Sequence, residues 1–267
     1  MKLILLCGGR SERMGEPKGL LPVPDGDFFL LEQCASFFRA GGGHVTVVLG
    51  FGFDLYLERL GCRQTADGGF FFLYQNRKIT CVINHNPQMG PFSSLQTGIS
   101  SLYPEAVQTN VKVLEGRKKG KIMAEVKPHS TPFSRICKKN LKNDLTMKTP
   151  CSLDNKSYAD GVFMLPVDVP CPGAGVFADL HQDNQNGIKV CVPVRAGRGG
   201  HPVWLSEVFC QTLLTVKPGE NYRLDRQINM LSAQEIKRVD VQEDCVCYNL
   251  NRPEDWLRYL CERKELK

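Results

Sequence analysis

The sequence predicts an α/β domain in which a mostly parallel sheet lies between helices. Three observations carry this: short apolar runs recur along the chain, helical patterns separate them, and 267 residues suffice for one large domain. The apolar runs are 2–7 (KLILLC), 44–50 (HVTVVLG), 78–86 (KITCVINHN), 161–168 (GVFMLPVD) and 188–194 (IKVCVPV), each read as a strand. Residues 28–40 (FFLLEQCASFFRA) read as a helix stopped by Gly41, Gly42 and Gly43. Residues 92–103 form a second helix closed by Pro104, and helical stretches follow around 204–214 and 223–233. A last strand is expected over 245–251 (CVCYNLN). It feeds a closing helix with Pro253 in its first turn, where a missing N–H costs nothing.

Hydrophobic residues at 42% and charged residues at 23% suit a soluble globular protein. No apolar run approaches the roughly 20 residues that span a bilayer, and LILL is too short for a signal-peptide core. The expectation is a cytoplasmic protein with no membrane partner. The twelve cysteines contain no C-x-x-C pair and sit near no metal-ligand histidine spacing. Cys7, Cys81 and Cys191 fall inside apolar runs, as small hydrophobes do. Cys245 and Cys247 are expected on one core face of the last strand. All twelve are read as reduced thiols in a reducing compartment.

The net charge of +6 is not spread evenly. Residues 105–158 carry twelve Lys and Arg against five Asp and Glu, and the rest of the chain is close to neutral. This segment has little apolar periodicity and three prolines, so it reads as a basic insertion into a single domain spanning 1–267. Part of it, VKVLEGRKKGKIMAEV, could close as a hairpin. It lacks the interleaved aromatics that stack bases, which argues for a solvated insertion rather than a nucleic-acid arm.

The chemistry concentrates where strands end. After the first strand comes GGRSERMGEPKG, whose glycines expose backbone N–H groups suited to phosphate oxygens. The spacing is not G-x-G-x-x-G. Nor is it a P-loop, because Lys18 is followed by Gly19, which has no hydroxyl for magnesium. What remains is close approach at Gly8 and Gly9, with Arg13 and Lys18 as mobile cations. Asp168, in LPVDVP, stands at the end of a central strand, at the edge where open α/β sheets bind ligands. It is a hard oxygen ligand of the kind Mg²⁺ takes alongside phosphate. A lone strand-end Asp is more often a helix cap, so its weight comes from co-occurrence with the loop.

These residues carry a resemblance. Gly8, Gly9, Ser11, Arg13, Met14, Gly15 and Lys18 match the L-x-G-G-x-S-x-R-M-G-x-x-K loop of nucleotidyltransferases that activate phosphorylated compounds. The match is nearest to the molybdenum-cofactor guanylyl- and cytidylyltransferases (MobA/MocA-like), and more distant to methylerythritol-phosphate cytidylyltransferase. A basic surface turn would not specify seven positions at once. The resemblance implies a glycosyltransferase-A-like (GT-A-like, Rossmann-like) nucleotidyltransferase fold. It places Cys7, Gly8, Gly9, Arg10, Ser11 and Gly15 around the NTP, with Lys18 and Arg13 neutralising its phosphates. Asp168 resembles the metal-binding Asp of the family. YNLNRPEDW resembles the family's N-x-N-T-P-E-D junction and makes Asn249 or Asn251 a second, uncharged metal contact on one strand face. Glu254 and Asp255 are read as partners of the helix dipole.

NPQMGPFSSLQTG resembles the segment that recognises base and ribose, which brings in Asn86, Gly90, Ser93 and Ser94. The serine pair before Leu95 resembles the cytidylyl-type enzymes, while GPF keeps a trace of the guanylyl type. GRGGHPV resembles an element of the cytidylyl type and places Arg198 and His201 on the acceptor side. The resemblance covers most of 1–104 and 159–263 and fails over 105–158. It implies Mg²⁺-dependent transfer of a nucleoside monophosphate from an NTP, CTP before GTP, to a phosphorylated small-molecule acceptor. Molybdopterin cofactor is the first expectation for that acceptor and a sugar or alditol phosphate a later one. A nucleotide-binding accessory protein without turnover is the reading from another class.

Overall fold

The structure, a computed structural model, describes residues 1–24, 26–66, 68–105, 161–182 and 187–265. Its centre is four parallel strands, β1 (Lys2–Cys7), β2 (His44–Leu49), β5 (Arg77–Ile83) and β6 (Gly161–Pro166). β1 lies between β2 and β6, with Leu3 opposite both Val45 and Phe163. On the β5 side the sheet continues through antiparallel β4 (Phe70–Tyr74) and β3 (Arg63–Gln64). On the β6 side come β9 (Val203–Ser206), antiparallel to both its neighbours, then β7 (Val190–Arg195) and parallel β10 (Ile236–Asp240). β8 (Arg198–Gly199) hairpins onto β7.

Period-two alternation in the central strands supplies two cores. Leu3, Leu5, Val45, Val47, Phe163 and Leu165 face one side; Ile4, Val48, Val162 and Met164 face the other. Helices α1 (Phe29–Arg39), α4 (Ala174–His181) and α7 (Pro253–Glu265) cover the first face. Helices α3 (Pro91–Leu102) and α5 (Glu207–Thr215) cover the second. Two shorter helices are α2 (Phe53–Arg59) and α6 (Leu224–Asn229). Phe37, Phe163 and Phe177 meet edge to face at 5.0–6.5 Å and lock α1, α4 and β6 together.

The expected strands over 2–7, 44–50, 78–86, 161–168 and 188–194 form, the first with its expected bounds and the other four trimmed or shifted by a few residues at their ends. Other expectations need correction. The stretch 245–251 is not a strand: Asp244–Cys247 form a 3₁₀ turn, and Cys245 and Cys247 therefore share no strand face. Single hydrogen bonds hold this segment instead of a ladder, His201 N–H to Val246 O and Leu250 N–H to Asp168 O, both at 2.8 Å. The helical stretch expected from 204 begins later, because Val203–Ser206 pair with β6. The Ser206 hydroxyl then caps α5 by accepting from Phe209 N–H. The stretch 223–233 shortens to α6 plus a 3₁₀ turn at Ala233–Glu235.

The β4–β5 hairpin was not anticipated. Its turn uses Gln75 and Asn76, both with positive φ (49° and 59°), in place of the glycine that signals such turns. The basic stretch 105–158, its hairpin included, lies almost wholly outside the described residues. Gly161 begins β6 at the sheet edge opposite Asp168, and Tyr103, which follows α3, lies under Lys2 at that same edge.

Replacing Phe177 by Ala is expected to cost about 3–5 kcal/mol of stability, because it empties the fully buried aromatic junction. The shift of the urea midpoint measures it, and a change below about 1 kcal/mol would show that the junction is not a structural keystone.

Candidate functional site

β1, β2, β5 and β6 are parallel, so Cys7, Leu49, Ile83 and Pro166 all end at one sheet edge. The segments leaving that edge enclose a cavity of about 1030 Å³. Such an edge is where open α/β sheets bind ligands, because diverging loops open a crevice there.

The opening loop is folded tightly at its base. Gly8 and Gly50 touch: a Cβ on Gly50 would sit 2.7 Å from Gly8 Cα and its carbonyl oxygen, and one on Gly8 would sit 2.8 Å from Ser94 Oγ. Only glycine allows this approach of two strand ends. Further along, Met14 N–H donates to Ser11 O, and Lys18 N–H donates to the Ser11 hydroxyl at 3.2 Å. Gly19 N–H donates to the buried Tyr56 hydroxyl at 3.1 Å, which anchors the far end of the loop on α2.

That fold delivers the Lys18 ammonium to the centre of the site. Nζ donates to Asp168 Oδ2 at 3.0 Å and to Asn251 Oδ1 at 2.5 Å. Asn251 in turn donates to Asn249 Oδ1. Asp168 is held from both sides: Gln33 Nε2 donates to the preceding Val167 carbonyl, and Leu250 N–H to Asp168's own carbonyl. The C-terminal junction thus reaches Asp168 without joining the sheet. Asp255 caps the start of α7 by accepting from Arg252 N–H at 3.0 Å, in keeping with the expected dipole role.

A second buried network sets the opposite wall. Asn84 Nδ2 donates to Ser93 Oγ (2.8 Å) and Ser94 Oγ (3.0 Å), while its Oδ1 accepts from Asn86 N–H. Ser93 donates to the Gly90 carbonyl at 2.7 Å, so its hydroxyl is used within the turn. Ser94 lines the cavity and keeps its hydroxyl hydrogen for a further bond.

Of the residues singled out in the sequence, Cys7, Gly8, Gly9, Ser11, Lys18, Gly90, Ser94, Asp168, Arg198, His201 and Asn249 line this one cavity. Asn251 joins it through Lys18. Arg10, Arg13, Gly15, Asn86 and Ser93 do not line it: Ser93 is buried, and the other four are exposed. Arg10 stacks over the Phe51 ring at 4.4 Å and pairs with Glu12. Sequence reasoning missed Phe51, Tyr56, Asn84 and Gln33. The GFG after β2 was the available signal for Phe51. Asn84, Gln33 and Tyr56 act through buried hydrogen bonds that leave no spacing pattern.

His201 backs the cavity beside the Asp168 strand end. Burial lowers its imidazole to about 4, with Asp168 opposing the shift, so the ring is neutral at pH 7. Its Nδ1 is buried without a hydrogen-bond partner among the described residues. Those residues contain no cluster of three or more His, Cys, Asp or Glu that could hold a metal by themselves. Asp168 and Asn251 do converge two hard oxygen atoms on a cation, the Lys18 ammonium. One carboxylate with an amide oxygen suits a magnesium-like ion that draws its other ligands from water and substrate phosphate.

The sequence profile of the MobA-like NTP transferase domain family matches residues 3–238. No curated protein sequence matches the chain. Among solved structures, a nucleotidyl transferase from Methanothermobacter (Mth528) superposes with a TM-score of 0.60 at 15% identity, over 100% of this chain and 98% of that one. Molybdopterin-guanine dinucleotide biosynthesis protein A from Archaeoglobus fulgidus gives 0.54 at 13% identity, over 98% and 100%. Rv0371c from Mycobacterium tuberculosis, solved as a complex with manganese, gives 0.52 at 14% identity, over 97% of each chain. At these identities the likeness establishes the fold: a mixed sheet, parallel at its centre and flanked by helices, of the GT-A-like type.

Two outcomes test this geometry. Gly50→Ala is expected to destabilise the protein by about 1–3 kcal/mol, since backbone and not a flexible side chain blocks the new methyl; an unchanged melting temperature would contradict the close approach. In an NMR titration His201 is expected to protonate near pH 4, below the usual 6.5, and a midpoint at 6.5 would place its ring in solvent.

Proposed function

The chain belongs to the MobA-like NTP transferase family, and from that premise we propose that it moves a nucleoside monophosphate from an NTP to a phosphorylated small molecule. The observation that carries the proposal is the Lys18 ammonium, delivered by a Gly-Gly loop into contact with the strand-end carboxylate Asp168. A loop that exposes N–H groups beside a cation and a carboxylate suits a triphosphate with its counter-ion.

In the proposed reaction an acceptor phosphate oxygen bonds to the α-phosphorus while the bond to the bridging oxygen of the leaving pyrophosphate breaks. Phosphoryl chemistry of this kind asks mainly for positioning and charge neutralisation. The loop N–H groups after Cys7 would hold the phosphates, and Lys18 would follow the charge that grows on the α-phosphate and pyrophosphate. Arg13 lies exposed on the same loop, within the span that could fold over the triphosphate. Asp168 and Asn251, with Asn249 behind them, would hold Mg²⁺. When bound, the ion supplies Lewis-acid polarisation of the phosphate oxygens. The manganese complex of Rv0371c supports a divalent ion in this fold.

CTP is the favoured nucleotide and GTP the next, on the likeness of Ser93-Ser94-Leu95 to cytidylyl-type enzymes. Ser94 is the member of the pair whose hydroxyl can reach a ligand. Arg198 and the neutral His201 would meet the acceptor, with molybdopterin cofactor as the first candidate. We place the reaction in the cytoplasm, on the free cysteines found among the described residues. The uncharged Asn251, where a second carboxylate would strengthen a metal site, favours one other reading: a nucleotide-binding accessory protein without turnover.

A pyrophosphate-release assay with each NTP, Mg²⁺ and a panel of phosphorylated acceptors decides between them. Lys18→Ala is expected to lower kcat by about 100-fold or more, and Asp168→Asn to abolish metal-dependent turnover. Full activity of both variants would remove the loop and the strand end from the chemistry. Nucleotide binding with no release from any acceptor would favour the accessory reading.

A further inference from the structure

The cavity is larger than the phosphate site requires. At about 1030 Å³ it lies at the top of the range of roughly 300–1000 Å³ for small-molecule sites, and its two ends differ in chemistry. The end built by β1, β2 and β5 carries the glycine loop, Phe51 and Ser94. On the far side of Asp168, under β6, β7 and β9, the second core cluster comes up into the cavity. Met164, Val192 and Val203 form the floor there, and Tyr222, Leu224 and Ile228 the wall. Val192 and the three wall residues are only partly buried, so the protein leaves their apolar surface facing the cavity.

This wall is held in place. The Tyr222 hydroxyl donates to Gln96 Oε1 at 2.6 Å, and its ring stands edge-on to Phe92 at 4.8 Å. Gln96 is itself fixed by donating to the Leu213 and Val216 carbonyls. The one wall hydroxyl therefore has its hydrogen already committed. The charges nearest by, Arg198 and the Arg223–Asp225 ion pair, lie at exposed positions of the lining. The side chains of Met164, Val192, Val203, Leu224 and Ile228 offer a polyol's hydroxyls no partner, and the polar groups of this part of the lining, His201 Nδ1 and the Arg198, Arg223 and Asp225 charges, lie around that apolar surface; an aryl or alkyl group laid against it would gain by leaving water.

We infer that this lobe holds the body of the acceptor, and that the acceptor is a phosphate monoester whose organic part is aromatic or aliphatic and poor in hydroxyl groups. The inference rests on the nucleotidyltransferase reading only in naming the ligand as acceptor. It argues against the sugar and alditol phosphates among the candidates. The lobe and the nucleoside end flank Asp168 from opposite sides, an arrangement suited to in-line approach at the α-phosphorus.

Calorimetric titration of the full-length protein with 1-naphthyl phosphate, octyl phosphate and glycerol 3-phosphate tests the lobe, with and without CTP and Mg²⁺. The apolar esters are expected to bind at least about tenfold more tightly than glycerol 3-phosphate. Ile228→Glu and, separately, Leu224→Asn should erase that preference while leaving CTP affinity and the circular dichroism spectrum unchanged. Equal or tighter binding of glycerol 3-phosphate would overturn the inference. So would an apolar preference that survives both folded variants. Apolar esters that bind while no NTP does would uphold the lobe and sink the nucleotidyltransferase reading.

Discussion

The contact between Lys18 and Asp168 organises this molecule. It joins residues 150 positions apart, one on the loop leaving β1 and the other at the end of β6. Both groups are largely shielded, with side-chain exposures of 13% and 25%. Charges so placed cost desolvation unless paired, so the arrangement of the surrounding backbone amounts to a means of holding the pair. The Ser11 hydroxyl and Tyr56 fix the backbone around Lys18. Gln33 and Leu250 fix the backbone around Asp168. Asn251 completes the clasp from the C-terminal junction by accepting from the Lys18 ammonium.

The same economy shapes the opposite wall. Asn84 uses both ends of its amide to tie the turn after β5 to the first residues of α3. Gly8 against Gly50 brings that wall within reach of the loop. A polar site thus sits on buried hydrogen bonds, which is how a constellation of side chains keeps its geometry without a ligand. Beyond Asp168 the lining turns apolar, and the two ends of the cavity ask for different chemical groups.

Much of this was legible in the sequence because the central strands are buried on both faces and read as unbroken apolar runs. The loop motif and LPVDVP were legible for a similar reason: specific residue types at strand ends lie at one sheet edge by topology alone. The edge strands were not. β9 is four residues long and runs directly into a capped helix, so VWLS merges with the helical pattern that follows. The β4–β5 turn carries no glycine. CVCYNLN has strand-like composition, yet single tertiary hydrogen bonds at Val246 and Leu250 override that propensity. Within the site, sequence could not separate Ser93 from Ser94. Asn84 donates to both, and what separates them is that Ser93 donates to the Gly90 carbonyl while Ser94 faces the cavity.

In this account the Lys18 ammonium occupies the oxygen atoms of Asp168 and Asn251 until a triphosphate draws it away, so a divalent ion and a nucleotide should enter together. Calorimetric titration with Mg²⁺ alone, CTP alone and the two combined tests this most directly. The account predicts no measurable binding of millimolar Mg²⁺ by itself and clear binding of the combination, well above that of free CTP. Tight binding of Mg²⁺ in the absence of nucleotide, or no binding of any Mg²⁺–NTP combination, would contradict it.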